Sequence, residues 1–339
     1  MIDLNALWFF LLTFLFIGYA VLDGFDLGVG VLHLFTRDEG QRRLLASGIG
    51  PVWDGNEVWL LTAGGALFAA FPRAYATVFS AFYMPIMLLL TGLIFRAVSL
   101  EFRNKVDSPG WKKTWDLAFG LGSLLVALLL GVAFGNLLRG IPLNSAGRFT
   151  GSFLGLLNPF SLLVGCISLC LFTMHGALFM SMKSDGALRD RLRTWIHVSW
   201  IITIILYAFF YISSFFAAPH ILEGCFSSFI YWVLFILLLA SLVYVPIACK
   251  QERYAHAFTA SSCMVLSMIG LAAVGLFPAL AVSSLDYANS LTIYNACSTP
   301  RTHGVMLVIT LIGMPLVIGY TIYVYRVFKG KVVLEDEEY

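Results

Sequence analysis

Two carboxylates three residues apart, Asp23 and Asp26 in VLDGFDLGVG, lie inside an apolar run. A charged group at the centre of a bilayer costs about 2.5–3.5 kcal/mol on insertion scales, so such residues need a reason. A second pair, Asp54 and Glu57 in PVWDGNEVW, is also three residues apart. At helical spacing each pair shares one face. Arg96 closes a third apolar run, and Glu101 and Arg103 follow it. A carboxyl group shielded from water can accept and release a proton near neutral pH. Carboxylates at stepped depths therefore suit proton relay. Each group also has a plainer reading. Asp54 and Glu57 fit the start of a helix, where Asp54 would act as an N-cap favoured by backbone N–H groups and the helix dipole. Arg96 would snorkel to the interface. Asp23 and Asp26 are too far from a helix end for that.

The elements that must position these groups are membrane helices. The chain has 339 residues, 60% hydrophobic and only 12% charged, about half the charge of a soluble domain. Runs of about 20 apolar residues span the hydrocarbon core. Such runs are read near 4–34, 53–71, 75–96, 115–137, 159–182, 195–216, 228–249, 257–282 and 305–328. The expected fold is an all-α integral membrane protein of about nine spans in one polytopic domain, 1–339. The N-terminus reads as a retained first helix rather than a cleaved signal peptide. Glu335, Asp336, Glu337 and Glu338 form a short acidic tail. Net charge of +2 with no basic stripe gives no sign of nucleic-acid binding.

Orientation follows from the basic residues. Arg73, Arg139, Arg148 and Arg301 fall in one alternate set of connections, and the other 17 of the 21 Lys and Arg in the other. The richer set faces the cytoplasm, which puts the N-terminus outside and the C-terminus inside. The first three spans then hold their ionisable groups in the cytoplasmic half. Asp26 would sit about 12 Å above the inner end of its helix, at 1.5 Å per residue.

Gly24 with Gly28, and Gly131 with Gly135, make small-xxx-small pairs that allow close helix approach. His33, His197, His220, His256 and His303 fall near helix ends or in loops, where they need no partner. His175 is deeper; it reads as a satisfied core histidine rather than a haem ligand, because no second deep histidine faces it. The six cysteines form no CxxC pair, and most read as small core residues. Cys225 and Cys297 lie in loops on the same side, where a disulfide is open to them. A proton-coupled transporter and a purely structural subunit remain alternatives at this point. The clustering of charge at one side, with no polar pair midway along later helices, argues against a transporter.

Several segments resemble subunit II of the cytochrome bd-type quinol oxidases: GFDLGVGVL (24–32), PVWDGNEVWLLTAGGALFAAFPRAYATVFSAFY (51–83), FRAVSLEFR (95–103), GVAFGNLLRGIP (131–142), LLNPFSLL (156–163) and FPALAVSS with NSLTIYNA (277–296). The resemblance runs from residue 1 to the last helix. It implies two four-helix bundles plus one peripheral helix, in the bacterial cytoplasmic (inner) membrane. It implies a similarly folded partner, subunit I, in a complex that oxidises quinol and reduces O₂ to water. Two haems b and one haem d are expected mainly in subunit I, with their axial ligands and the quinol-oxidising loop. Asp54 matches the family aspartate proposed for a cytoplasmic proton route, and Asp23, Asp26 and Arg96 match polar positions around it. Glu57 departs from relatives that often carry an amide. Some members hold a structural quinone in this subunit, and a small single-helix subunit joins some complexes; the residues place neither.

Overall fold

The computed structural model describes residues 3–332 and is almost entirely helical. The acidic tail lies outside the described residues. Eleven α-helices follow one another: α1 (Leu4–Leu34), α2 (Glu39–Ile49), α3 (Trp53–Ala70), α4 (Pro72–Ala81), α5 (Tyr83–Phe102), α6 (Pro109–Arg139), α7 (Pro159–Lys183), α8 (Gly186–Ala217), α9 (Phe229–Lys250), α10 (Tyr254–Leu276) and α11 (Pro300–Val327). Eight of these are long and apolar enough to cross a membrane. Among the eleven, α3 is also 18 residues long, but Asp54, Asn56 and Glu57 in its first turns keep it out of that set.

The helices depart from the runs read in the sequence at several places: α6, α8 and α11 begin earlier, at Pro109, Gly186 and Pro300, and three differences change the architecture. The stretch 75–96 is two helices, α4 and α5, that meet at Phe82. Pro85 has no N–H, and its ring crowds the carbonyl of Ala81, where α4 ends. The stretch 257–282 stops being helical at Leu276, because Pro278 follows. Its last residues instead form β1 (Ala279–Ala281), antiparallel to β2 (Leu291–Thr292). The connection after α1 contains α2, an amphipathic helix capped by Asp38, whose carboxylate accepts from the Gln41 N–H at 2.8 Å.

α1 is the central helix and packs on α3, α6, α7 and α10. Two glycine pairs set how closely the helices approach. A Cβ on Gly28 would lie 1.8 Å from the Phe172 carbonyl oxygen, and one on Gly131 2.7 Å from the Gly165 Cα. Both contacts are with α7, so α7 is held against α1 and α6 at near-backbone distance. Beyond the N-terminal end of α1, the segments around 141–149 and 277–299 form a cap. There Ile141 bridges to Ser283, and the Trp8 indole donates to the His303 carbonyl at 3.1 Å. α11 lies at the margin, with Leu311, Leu316 and Tyr320 well exposed.

Candidate functional site

Four of the five residues singled out in the sequence meet inside the protein. Asp23 and Asp26 lie on the buried face of α1, and Arg96 enters from α5; all three side chains are fully buried. Arg96 Nη2 donates to Asp23 Oδ1 at 2.7 Å and lies 3.8 Å from Asp26 Oδ2. Arg96 Nη1 lies 3.7 Å from Glu57 Oε2 of α3, a separation that one water can bridge. Arg96 therefore does not snorkel: it sits six residues inside the end of α5. Gly92, one turn earlier, lets α5 pack closely against α6. A Cβ there would meet Val126 at 2.8 Å and the Gly122 carbonyl at 3.1 Å.

Two neutral residues complete the cluster. The Asn56 amide donates to Asp26 Oδ2 at 2.8 Å, and the Tyr325 hydroxyl from α11 donates to Asn56 Oδ1 at 3.0 Å. Neither was singled out in the sequence, because an amide beside two acids and a tyrosine near a helix end carry no insertion penalty that marks them. Six buried polar atoms here have no protein partner: Tyr19 Oη, Asp23 Oδ2, Asp26 Oδ1, Glu57 Oε2, Arg96 Nε and Arg96 Nη1. Buried polar atoms cost about 1–3 kcal/mol each when unpaired, so these six leave hydrogen-bonding capacity that the protein itself does not fill.

Asp54 is placed differently. It is the second residue of α3, exposed, and α3 begins without a side-chain cap hydrogen bond. It stands one turn before Glu57, on the side where Gly55, Gly64 and Gly65 have open space beside them and Val58, Leu61 and Phe68 are exposed.

A second charged cluster lies about two turns further along α1. His33 and Asp116 are 1% and 4% exposed, and His33 Nε2 lies 3.2 Å from Asp116 Oδ1. Asp116 also accepts from Arg42 at 2.9 Å and Arg103 at 2.5 Å, and Arg103 reaches Glu39 at 2.8 Å. His33 thus does have a partner, contrary to the reading of it as a free helix-end histidine. The same holds for His303, which is buried with Nε2 2.9 Å from the Ala70 carbonyl. In both cases the partner comes from a distant helix, Asp116 from α6 and Ala70 from the end of α3, which a linear charge pattern does not show.

His175 does not fit a haem. His175 has Nδ1 2.6 Å from Ser261 Oγ and Nε2 3.0 Å from the Val21 carbonyl, and its ring stacks on Phe258 at 4.4 Å. Both ring nitrogens are occupied, as for a satisfied core residue. Cys225 and Cys297 are free thiols: each turns to a carbonyl of its own segment, Ile221 and Tyr294 respectively. No group of three or more metal-ligating side chains exists among the described residues.

Comparison with known proteins agrees with this architecture. The sequence pattern of the family described as cytochrome bd terminal oxidase subunit II matches residues 4–328. The chain is 35% identical to cytochrome bd-I ubiquinol oxidase subunit 2 of Escherichia coli K12, over 99% of this chain and 97% of that one. It is also 35% identical to cytochrome bd ubiquinol oxidase subunit 2 of Bacillus subtilis 168, over 98% of each. The fold superposes on a chain of the bd oxidase from Geobacillus thermodenitrificans with a TM-score of 0.80, at 18% identity, covering 96% of this chain and 99% of that one. This chain therefore belongs to the family of subunit II of the cytochrome bd terminal oxidases.

Proposed function

We propose that this subunit of a quinol:O₂ oxidoreductase complex supplies protons to the oxygen-reducing site of its partner, subunit I, through the cluster of Asp23, Asp26, Glu57 and Arg96. The observation that carries the reading is the single guanidinium that faces three carboxyls from two other helices within 4 Å. One cation does not balance three carboxylates, and uncompensated charge is expensive away from water. The cluster is therefore suited to carry protons on its carboxyls, and a proton can move among them through waters held by the unpaired atoms.

The direction of flow rests on orientation. The cluster lies toward the end of α1 that leads to Arg37, Arg42 and Arg43, the end expected to face the cytoplasm. Protons drawn from that side, with quinol releasing its own outside, would make turnover electrogenic without a pump. Glu57 and then Asp54 lead from the cluster to the uncovered face of α3. A carboxylate there would be costly against lipid, so this is the face that suits a protein partner. Subunit I would carry haem b and haem d, and no step on the haems is assigned to this chain. Assembly of the complex is its second role.

The test uses the assembled oxidase. Asp26→Asn and Asp54→Asn are each expected to slow oxygen reduction at least about tenfold, with all haems retained in the visible spectrum. Normal turnover by both variants with full haem content would refute the relay.

A further inference from the structure

The relay has to be filled from the aqueous side, and two cavities open at the expected cytoplasmic end. One, of ≈ 360 Å³, is lined by Lys183, Lys329 and Lys331, and by Tyr325. Its polar line runs from the Tyr325 hydroxyl to the Asn56 amide and then to Asp26. A carboxamide does not release a proton near neutral pH, and although Asp185 pairs with Lys331, the ammonium groups of Lys183 and Lys329 still repel an incoming one. Tyr325 and Asn56 are thus positioning residues for Asp26.

The other cavity, of ≈ 70 Å³, is walled by His33, Ser99, Arg103, Trp115, Asp116 and Asn104. A single water needs about 10–15 Å³ measured this way, so several fit. Asn104 is exposed and places one wall at the surface, while Ser99 is buried and places another within one turn of Arg96. His33 Nδ1, His33 Nε2 and Trp115 Nε1 are buried atoms without a hydrogen-bond partner in the protein. His33 is seven residues from Asp26 and Arg103 seven from Arg96, so two full turns, or about 10 Å, separate the clusters along both helices. Three or four waters at hydrogen-bond spacing cover that distance. Ser99 and Ser123 stand in the gap. Their hydroxyls donate to Phe95 and Phe119 of their own helices, which leaves oxygen lone pairs to accept from water.

We propose that His33, paired with Asp116 in this water-holding cavity, is the proton-collecting group from which the Asp26–Asp23–Arg96 cluster is loaded. The proposal rests on the relay reading above. His33 Nδ1 takes a proton from cavity water, and the ring passes one on through the waters beside Ser99 and Ser123. Asp116 Oδ1 lies 3.2 Å from Nε2 and favours the protonated ring by charge, without a hydrogen bond between them. The charged groups around His33 are Asp116 of α6, Arg42 and Arg43 of α2 and Arg103 of α5, with Glu39 of α2 bound to Arg103. Asp116 is itself gripped by two arginines, so its charge is committed and the imidazole is the group free to exchange protons.

The experiment uses the complete oxidase complex and three variants: His33→Ala, Asn104→Trp and Asp26→Asn. His33→Ala is expected to lower oxygen-reduction turnover about five- to tenfold at pH 8, with haem content unchanged and a flattened pH profile. Added imidazole is expected to restore the rate several-fold by entering the enlarged cavity, which a merely structural loss would not allow. Asn104→Trp blocks the cavity from the surface, gives up one hydrogen bond that Asn104 accepts from Arg103 at 3.2 Å, leaves His33 and Asp116 in place, and covers the case in which His33→Ala fails to assemble; it too is expected to slow turnover. Normal rates for His33→Ala and Asn104→Trp beside a slow Asp26→Asn would overturn this inference and leave the relay standing. A normal Asp26→Asn would remove the relay itself.

Discussion

Arg96 is held by geometry that leaves it no alternative: zero exposure, a 2.7 Å bond to Asp23, and no route to the interface. Removing one partner of such a pair strands a buried charge and costs about 3–5 kcal/mol. Arg96→Leu should therefore markedly lower the thermal midpoint of the assembled complex. Arg96→Leu combined with Asp23→Leu should recover only part of the loss, because Asp26 and Glu57 still lack their cation. A thermal melt followed by haem absorbance checks both. Asp23, Asp26, Glu57 and Arg96 were legible in the sequence because charge inside an apolar run carries a cost that demands a partner. His33 and Asp116 were not, because near a helix end a charge is cheap and gives no such signal. Asn56, Tyr19 and Tyr325 were hidden for a different reason: they are uncharged, and only contacts between distant helices reveal them.

Glycine and proline mark the helices most sharply. Gly28 admits the Phe172 carbonyl into the space a side chain would fill. Gly28→Val should separate α1 from α7, cost at least the 1–3 kcal/mol typical of overpacking, and reduce recovery of intact complex; Gly319→Ala, in open space on α11, is the control. The small-xxx-small spacing pointed to these positions but not to α7 as the neighbour, since spacing carries no partner identity. Likewise Pro85 and Pro278 were visible as residues, whereas the apolar runs around them masked the breaks they cause. A tie at the other side of the membrane surface is testable by pH. Lys331, hydrogen-bonded to Asp185 just before α8, with Arg189 beside it, holds that carboxyl below the usual carboxylate range. A depressed value means that the tie stabilises the folded arrangement above the unfolded carboxylate's pKa of about 3.9 and is lost as pH falls through the lower, folded value. Amide exchange in residues 328–332 should rise in that acidic window, and in Asp185→Asn already at neutral pH.

Across the whole molecule, the all-α membrane class was readable from hydrophobicity alone, because lipid permits few alternatives to helices. What the linear pattern could not supply was the pairing of helices: α1 at the centre, α3 and α5 delivering Glu57 and Arg96 to it, α11 adding Tyr325. That convergence gathers scattered acids into one buried cluster; in the proposed relay Asp54 leads out to a face that suits a partner and His33 leads toward the expected cytoplasm. The account stands or falls on whether protons use it. Oxidase reconstituted in vesicles, given a pulse of O₂ and followed with a pH dye on the side of the Lys/Arg-rich connections, measures this directly. Wild-type complex should take up protons there at the rate of oxygen reduction, and Asp26→Asn should slow both together while its haem spectrum stays unchanged. Uptake by Asp26→Asn at the wild-type rate would contradict it.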